Sequence, residues 1–408
     1  MKSTNPVITL LGSNSGRNVG DAAILSSILE TFSKAVPETE FLVPTTSPTF
    51  VNKNYSPKYN VKAFSIMPWT ASIRFVGIPT FLALARSDVA LICDGIIFGK
   101  KLWNPFFNWL IALIFVVPYA RLVGCKVVCY SCGIGPFPSK ISRIFAKFVL
   151  NNCDLVILRE RDSKALAEEI GVTKPITVTG DAAFVNPVSS KETGLQMLKD
   201  IGIDTNKKIL GVNVTAYLDQ WLPAAERKTS KEQSLIKVIA NGVNAFIKSN
   251  KEEIQIVAFS THPMDEVAVN ELAGIINAPI ISNTKYLSHD MQAAMALCDL
   301  FLGMRFHSLV LSSAVGAPIV GMLYMLKCKG YMRLLDCEEY GLSLGDLTEE
   351  KICTVLNKAW ACKAELKSKQ QVIVKELIHG AYNATDEVVK NFFSSESYNE
   401  EMKKASGW

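Results

Sequence analysis

Short apolar segments alternate with helical segments along the first half of this 408-residue chain. The apolar runs are typical of buried β-strands, and the segments between them repeat apolar residues at helical spacing. This alternation predicts a doubly wound parallel sheet. The predicted helices lie at residues 21–32, 139–151 and 162–170, and the predicted strands at 7–11, 40–43, 89–93, 126–130, 155–158 and 176–179.

A second α/β series follows polar residues 186–206, which we interpret as a linker. A chain of this length fits two or three domains. We therefore expect two Rossmann-like domains, residues 1–188 and 207–395, that face each other across a cleft. The predicted helices of the second series lie at 231–248, 264–275, 290–298 and 309–315, and the strands at 209–214, 254–259, 300–302 and 317–322.

Residues 103–120 form a long apolar stretch that is flanked by Lys100, Lys101 and Arg121. The stretch is nearly long enough to cross a bilayer, but two prolines and two asparagines interrupt it. It also lies between two predicted strands of one sheet, which a membrane span would place on opposite sides. We expect a buried helix, and shallow attachment to a membrane surface is the alternative.

Composition narrows the class of protein. Hydrophobic residues make up 49% and charged residues 20% of the chain, which is typical of a globular protein. The net charge of +5 is mild and no Lys/Arg block is present, which argues against nucleic-acid binding. The ten cysteines are scattered through apolar segments, so we expect buried thiols in a reducing cytoplasm. Cys129 and Cys132 precede a turn, and no histidine lies at ligand spacing from a cysteine, so neither a redox motif nor a metal site is expected.

The most informative segment for function is residues 300–308, where an apolar strand is followed by Arg305, His307 and a predicted helix. Open parallel sheets bind ligands at the carboxyl ends of their strands, and the N–H groups at a following helix N-terminus favour anions. Arg305 adds a permanent cation, and His307 adds a group whose charge changes near neutral pH. This arrangement predicts an anion site. The alternative is a surface arginine followed by a capping histidine.

The first predicted strand leads into a glycine-rich loop, residues 12–21, that ends at Asp21. Such a loop brings backbone N–H groups close to an anionic ligand at the start of the next helix. It lacks both the G-x-G-x-x-G pattern and the Gly-Lys-Ser/Thr of a P-loop, so no dinucleotide cofactor is predicted. Asp21 is either a carboxylate of the acceptor site, where the molecule that receives a transferred group would bind, or a residue that stabilises the first helical turn.

Several ordered motifs between Gly12 and Leu335 together resemble those of the polysaccharide pyruvyl transferase family, whose members share the two-domain GT-B architecture. The second loop motif carries fewer glycines here than the family pattern. The motifs are the opening loop at 16–25, the second loop at 94–98, a Gly-Ile-Gly-Pro turn at 133–136, an Arg-acid-x-x-Ser element at 159–163, and closing elements at 305–308, 316–318 and 324–327.

The resemblance implies transfer of the enolpyruvyl unit of phosphoenolpyruvate onto two hydroxyls of one sugar, with release of phosphate and formation of a cyclic ketal. The donor needs fixed cations, its methylene carbon needs an acid, and the attacking hydroxyl needs a base. His307 is the expected acid or a phosphate ligand, and Asp21 and Asp94 are the expected bases. The expected substrate-binding residues are Arg305, Arg159, Ser308, Lys327, His262, Asn18, Gly20 and Gly133.

Ordinary structural roles are the alternative for four of these residues. Arg159 can pair with a neighbouring carboxylate at a helix start, and Lys327 can be a surface cation. His262 can be a loop histidine, and Gly133 can belong to a tight turn beside the site.

We therefore expect an enzyme that transfers pyruvate from phosphoenolpyruvate to a cell-surface or extracellular glycan, or to a lipid-linked sugar. No metal and no cofactor are expected, and the expected location is the cytoplasm, with peripheral contact at the inner face of the membrane left open. A GT-B glycosyltransferase or sugar epimerase that uses a nucleotide sugar is one alternative, since the same cleft could hold such a donor. A non-catalytic assembly protein at the membrane surface is the other.

Overall fold

The computed structural model describes residues 5–65, 77–93, 95–104, 108–215 and 235–393. The chain divides into two compact units. Each unit contains one parallel β-sheet with helices between successive strands, which confirms the predicted pair of Rossmann-like domains. Unit 1 comprises Met1–Gly16, Asp21–Asn186 and Leu377–Trp408, and unit 2 comprises Arg17–Gly20 and Pro187–Glu376.

Strands and helices alternate along the described part of unit 1. The strands are β1 (Val7–Leu11), β2 (Glu40–Thr45), β3 (Val61–Ser65), β4 (Val89–Ile92), β5 (Ile96–Ile97), β6 (Lys126–Ile134), β7 (Leu155–Leu158) and β8 (Ile176–Val178). The helices are α1 (Val19–Ala35), α2 (Pro48–Tyr55), α3 (Ile78–Arg86), α4 (Leu110–Leu122), α5 (Lys140–Asn152) and α6 (Arg161–Glu169). The parallel strands follow the order β3-β2-β1-β4-β6-β7-β8, and β5 pairs with β6. Both faces of β1 and β4 are buried, which explains their uninterrupted apolar sequences.

Unit 2 repeats this plan with six parallel strands among its described residues. The strands are β9 (Lys208–Asn213), β10 (Ile254–Ser260), β11 (Ile280–Ser282), β12 (Leu300–Gly303), β13 (Ile319–Leu323) and β14 (Gly341–Ser343). The helices are α7 (Lys191–Asp200), α8 (Leu235–Ser249), α9 (Glu266–Ile276), α10 (Ser288–Met295), α11 (Phe306–Ala314), α12 (Leu326–Leu334) and α13 (Glu349–Ala361), and the long α14 (Lys363–Phe392) follows them. The strand order β11-β10-β9-β12-β13-β14 reverses direction between β9 and β12. Ligands of doubly wound sheets bind at the carboxyl ends of the strands at such a switch point.

Two predicted boundaries differ from the structure. Instead of a linker, residues 186–206 contain α7, whose N-terminus is capped by the Ser190 side chain and whose Gly194 packs against the backbone of Ala293 in unit 2. The second domain was expected to run to residue 395, but the described residues from Leu377 onward belong to unit 1. There Thr385 hydrogen-bonds to Tyr130 at 2.7 Å. Polarity along the sequence does not reveal such contacts between distant residues.

The apolar stretch at residues 103–120 contains part of a helix that is buried along one side and exposed at Phe115 on the other. Helix α4 covers Leu110–Leu122, and residues 105–107 lie outside the described residues. Leu113 and Val117 are fully buried in the core of unit 1, against the sheet. In the described part of the chain, no helix is long and apolar enough to span a bilayer.

Candidate functional site

The turn from β12 into α11 lies at the switch point of the sheet of unit 2. Arg305 is the N-cap residue of α11, and its backbone N–H donates to the Asn213 Oδ1 at 3.0 Å. Asn213 is the last residue of β9 and is fully buried, so its side chain joins the ends of the two central strands. Ser308 Oγ donates to the Arg305 carbonyl at 2.7 Å. These bonds hold the N–H groups of the first turn of α11 at the edge of the sheet, where they favour an anion.

The Arg305 guanidinium is held by a buried carboxylate. Its Nε lies 2.5 Å from Asp265 Oδ2, and its Nη2 lies 2.7 Å from Asp265 Oδ1. Asp265 is fully buried and also accepts a bond from Thr215 Oγ1 at 2.7 Å. Bidentate pairing of this kind fixes both position and plane of the guanidinium. The Arg305 side chain remains 17% exposed, so one part of this oriented cation faces solvent.

His262 lies next to this ion pair, in the turn after β10. Its Nδ1 accepts the Met264 backbone N–H at 3.0 Å, so the proton of the neutral ring is on Nε2. Burial lowers the pKa of His262 below its usual value of 6.5; the positive charge of Arg305 lowers it further, and Asp265 raises it. His262 is therefore a neutral hydrogen-bond donor near neutral pH, beside the candidate anion site.

We expect NMR titration of the His262 ring protons to give a pKa below 6.5. As the pH falls, His262 takes up a proton in the unfolded chain at a higher pH than in the folded protein. Its ionisation should therefore lower the free energy of unfolding as the pH falls below about 6.5. Replacing Arg305 with glutamine should raise the pKa of His262, whereas the same change at the exposed Lys329 should not. A His262 pKa at or above 6.5 in the wild-type protein would contradict this assignment.

His307 packs directly against the backbone of Gly20. A Cβ atom placed on Gly20 would lie 1.9 Å from His307 Nδ1, so only glycine leaves room for the ring. The segment that contains Gly20 belongs to unit 2, where the Val19 N–H donates to the Thr261 carbonyl at 3.0 Å. Asn18 Oδ1 accepts the Gly20 N–H at 3.1 Å. The structure thus brings Asn18, Gly20 and His307 together.

Lys327 is also connected to this region of unit 2. It lies in the first turn of α12, with its Nζ 4.9 Å from the centre of the Phe306 ring. The Phe306 ring stands edge-on to that of His307, with their centroids 5.2 Å apart. A cation above an aromatic face is held by the ring's negative potential. The Phe306 ring therefore contacts both the ammonium of Lys327 and the imidazole of His307.

Arg159 belongs to unit 1, where it is buried among hydrogen-bond partners. Its Nε lies 2.5 Å from Glu160 Oε2, and its Nη1 lies 3.1 Å from Asp181 Oδ2 and 2.7 Å from the Gly95 carbonyl. Burial opposes its charge, but Glu160 and Asp181 outweigh this effect and raise the pKa of the guanidinium. A Cβ on Gly133 would lie 2.5 Å from Arg159 Nη2. Gly133 therefore makes space for a cation whose charge two carboxylates already balance.

Of the two predicted bases, Asp21 lies among the described residues and Asp94 does not. Asp21 lies in the first turn of α1, one residue after Gly20. Asp94 lies outside the described residues. The sequence grouped Arg159 with Arg305 and Lys327, but Arg159 is in unit 1 and the other two are in unit 2.

Sequence reasoning missed the residues that position Arg305. Asn213, Thr215 and Asp265 are polar and fully buried, and each follows or ends a central strand of unit 2. Tyr324 follows β13 and is close enough to Arg305 and Asp265 to interact electrostatically; burial raises the pKa of its hydroxyl. For Asn213 and Thr215 the available signal was a polar residue at the end of β9, because the carboxyl ends of parallel strands share one edge. Asp265 lies five residues beyond β10 and gave no such signal.

The cysteines are unpaired with one another and mostly buried. All ten cysteines are free thiols, and eight of them are buried, including Cys129 and Cys132 of β6. A hydrogen bond with Cys132, together with burial, raises the pKa of the Cys129 thiol, which makes it a poor nucleophile. Among the residues that the structure describes, no three His, Cys, Asp or Glu side chains are arranged to hold a metal ion.

Comparison with known sequences gives a family match and a distant curated relative. Residues 18–324 match the sequence profile of the family described as polysaccharide pyruvyl transferase. The amylovoran biosynthesis protein AmsJ of Erwinia amylovora is 23% identical over 236 residues, which are 55% of this chain and 55% of that protein. The match therefore spans about half the length of this relative.

Comparison with solved structures identifies the fold. The UDP-GlcNAc 2-epimerase of Neisseria meningitidis, bound to UDP-GlcNAc, aligns with a TM-score of 0.59 and 12% identity over 96% of this chain and 100% of that chain. MnaA of S. aureus, in a structure with UDP, aligns with a TM-score of 0.60 and 12% identity over 95% of each chain. At this level of identity the likeness concerns the fold alone, and it confirms the GT-B-like pair of Rossmann domains.

Proposed function

The chain belongs to the polysaccharide pyruvyl transferase family, and on this premise we propose that it transfers pyruvate from phosphoenolpyruvate to a sugar of a glycan or of a lipid-linked precursor. The product is a cyclic ketal on two hydroxyls of one sugar, and phosphate is released. We place the reaction in the cytoplasm. The ten free cysteines, most of them buried, support a reducing compartment.

The proposed reaction converts one phosphoenolpyruvate and two hydroxyls of one sugar into one cyclic ketal and one phosphate. His307 protonates the methylene carbon of phosphoenolpyruvate, which becomes a methyl group, and the central carbon becomes electrophilic. Two sugar oxygens each form a bond to this carbon and each lose a proton, one of them to Asp21 or Asp94. The bond between the central carbon and the phosphate oxygen breaks, and phosphate leaves with the bonding electrons and takes up a proton. The proton lost by the second hydroxyl balances the one that the phosphate gains, and the proton taken by the aspartate balances, by exchange through solvent, the one that His307 gave to the methylene carbon.

The observation that carries this proposal is the Arg305–Asp265 pair at the N-terminus of α11. A donor with both a carboxylate and a phosphate needs cationic groups with fixed geometry, because interactions prepared in advance need no reorganisation in the transition state. Arg305 is oriented by Asp265, and Lys327 is held over the Phe306 ring. With the helix N-terminus, these groups support donor binding in unit 2.

The direct test is incubation of the purified protein with phosphoenolpyruvate and a panel of lipid-linked and nitrophenyl sugars. Phosphate release should accompany an increase in acceptor mass equal to pyruvic acid minus one water. A parallel reaction with UDP-GlcNAc tests the nucleotide-sugar alternative. Release of UDP or epimerisation, without phosphate release from phosphoenolpyruvate, would replace the proposed reaction. Neither turnover nor donor binding would favour a non-catalytic protein.

Replacing Arg305 with alanine should weaken phosphoenolpyruvate binding roughly 10- to 150-fold, because a charged hydrogen bond contributes about 1.5–3 kcal/mol. The change also leaves Asp265 buried without this partner, so Arg305→Lys is needed as a second variant that retains the positive charge. Calorimetric titration measures the affinity, and Lys329→Gln on α12 is the control for loss of an exposed cation. Unchanged affinity in a folded Arg305→Ala protein would move the donor site elsewhere.

We propose that the reaction needs neither a divalent metal nor a nicotinamide cofactor, because side chains can supply the cations and the acid. Activity should therefore survive dialysis against EDTA. Loss of activity on chelation, with recovery on addition of magnesium or manganese, would contradict this proposal. A parallel thermal melt with and without EDTA separates a catalytic metal from a structural one.

A further inference from the structure

Three neighbouring helices of unit 1 expose large apolar side chains on their outer surface. The inner sides of α3, α4 and α5 contribute Leu84, Leu113 and Val149 to the buried core of the unit. Surface apolar residues are usually scattered singly, whereas seven large ones lie on these three neighbouring helices, and a grouped set of this kind marks an interaction surface. We call this patch the α3–α5 face; its exposed apolar residues are Ile78 and Leu82 of α3, Phe115 and Leu122 of α4, and Ile141, Ile144 and Phe148 of α5.

Helix α5 carries both the apolar and the basic part of this face. Ile141, Ile144 and Phe148 follow one another at i, i+3 and i+7, so they form one stripe along the helix. Lys140, Arg143 and Lys147 follow the same spacing and form a second stripe beside it. The remaining side of α5 is buried against unit 1. A helix with a basic stripe beside an apolar one is typical of helices that lie in a membrane interface.

The charged side chains of these three helices are all positive. Helices α3, α4 and α5 contain five cations, Arg86, Arg121, Lys140, Arg143 and Lys147, and no aspartate or glutamate. Two of these cations have carboxylate partners on other elements: Arg86 pairs with Glu40 at 3.2 Å, and Arg143 pairs with Glu169 at 2.8 Å. The lysines extend the positive field along α5. Such a surface attracts an anionic partner and repels another copy of itself.

The helices pack side by side, which makes the face continuous. Phe81 of α3 and Tyr119 of α4 meet edge to face, with ring centroids 4.5 Å apart. Arg121 of α4 donates to the Asn152 side chain of α5 at 3.2 Å. Helix α4 therefore lies between the other two, and its exposed apolar residues extend the apolar stripe of α5.

We propose that the α3–α5 face docks unit 1 on an anionic phospholipid surface. The apolar side chains enter the boundary between headgroups and acyl chains, and the lysine ammonium groups remain at the level of the phosphates. Charge complementarity favours this partner over a second copy of the chain, because two identical faces would bring the lysines of one α5 against those of the other. The inference goes beyond the proposed reaction and does not depend on it.

Vesicle co-sedimentation tests this proposal with the full-length protein. The wild-type protein should bind vesicles that contain phosphatidylglycerol much more strongly than vesicles of phosphatidylcholine alone, and added salt should weaken the binding. Ile144→Glu should reduce binding roughly tenfold or more, because it removes a large apolar side chain from the interface. Lys140→Gln with Lys147→Gln should reduce binding to anionic vesicles roughly fivefold for each lysine lost.

The matched control is Val372→Glu on α14 in unit 2, because Val372 is 62% exposed and Ile144 is 61% exposed. This variant should bind vesicles like the wild-type protein, and both variants should keep the wild-type melting temperature. Phosphate release with a water-soluble acceptor should also be unchanged in Ile144→Glu, which separates docking from chemistry. Equal binding of neutral and anionic vesicles, or of Ile144→Glu and wild-type protein, would overturn the proposal. So would a dimer in light scattering that Ile144→Glu dissociates.

Discussion

Replacing His307 with glutamine is expected to lower the turnover number of pyruvyl transfer about 100- to 10,000-fold, the usual range for loss of a general acid. Glutamine is close to histidine in size and can still donate a hydrogen bond, but it cannot transfer a proton. The ring of His307 lies on the first turn of α11 and contacts Gly20 and Phe306. The substitution should therefore lower the reaction rate while leaving the fold largely unchanged. Steady-state phosphate release at saturating phosphoenolpyruvate measures the effect.

The same variant distinguishes the two roles left open for His307. If His307 is the acid, His307→Gln should keep its affinity for phosphoenolpyruvate while turnover falls. If His307 is a phosphate ligand, the affinity should fall and turnover at saturation should be largely kept. His379→Gln, at an exposed position of α14, is the control for loss of an imidazole and should have wild-type kinetics. Wild-type turnover and affinity in His307→Gln would exclude both roles.

Substituting Gly20 with alanine is expected to reduce turnover roughly 100-fold, since a displacement of about 1 Å in a catalytic group can cost that much. Alanine normally favours a helix, and Gly20 is within α1, yet its Cβ would lie 1.9 Å from His307 Nδ1. The imidazole must therefore move. Overpacking should also destabilise the fold by about 1–3 kcal/mol, which chemical denaturation measures.

A double-mutant cycle shows whether the effect of Gly20→Ala acts through His307. In a His307→Ala background the ring contacts at 1.9 and 2.3 Å are removed and only the contact with the residue 307 Cβ, at 2.8 Å, remains, so adding Gly20→Ala should cost clearly less stability than in the wild-type protein. Gly274→Ala is the matched control, because Gly274 is also helical and a Cβ there meets nothing within 4 Å. Gly274→Ala should leave the free energy of unfolding unchanged or raise it by up to about 1 kcal/mol. Equal destabilisation by Gly20→Ala in both backgrounds would mean that the contact with His307 is not its cause.

The two arginines that the sequence grouped together differ in their surroundings. Arg159 has 1% of its side chain exposed and is bonded to two carboxylates and a carbonyl, which is the environment of a structural ion pair. Arg305 is bonded to one buried carboxylate and is 17% exposed. We therefore propose Arg305 rather than Arg159 for donor binding, and we propose that Arg159 ties the end of β7 to Gly95, between β4 and β5, and to Asp181, after β8.

The strand and helix around residues 300–308 could be predicted because the signal is local. Leu300, Phe301 and Leu302 are apolar and lie in the centre of a sheet, and the helix that follows begins within a few residues of its predicted start. Likewise, an anion site was expected at Arg305 because a helix N-terminus after a parallel strand has the same electrostatic character in any such fold. Helix α7 was missed because its charged, amphipathic sequence differs little from that of a polar linker.

By itself, the sequence determined the class of fold, the strand that leads to Arg305 and His307, and the family to which the ordered motifs point. These properties depend on residue spacing, and hydrophobic burial converts spacing into strands and helices wherever the chain folds. Which side chains meet depends instead on how the folded chain packs in three dimensions. Asp265 reaches Arg305 across 40 residues, because the order of the parallel strands brings the ends of β10 and β12 to one edge of the sheet. Gly20 packs against His307 although the two residues are almost 300 positions apart in the sequence. No pattern along the chain contains that order, so the partners of Arg305 and His307 became visible only in three dimensions.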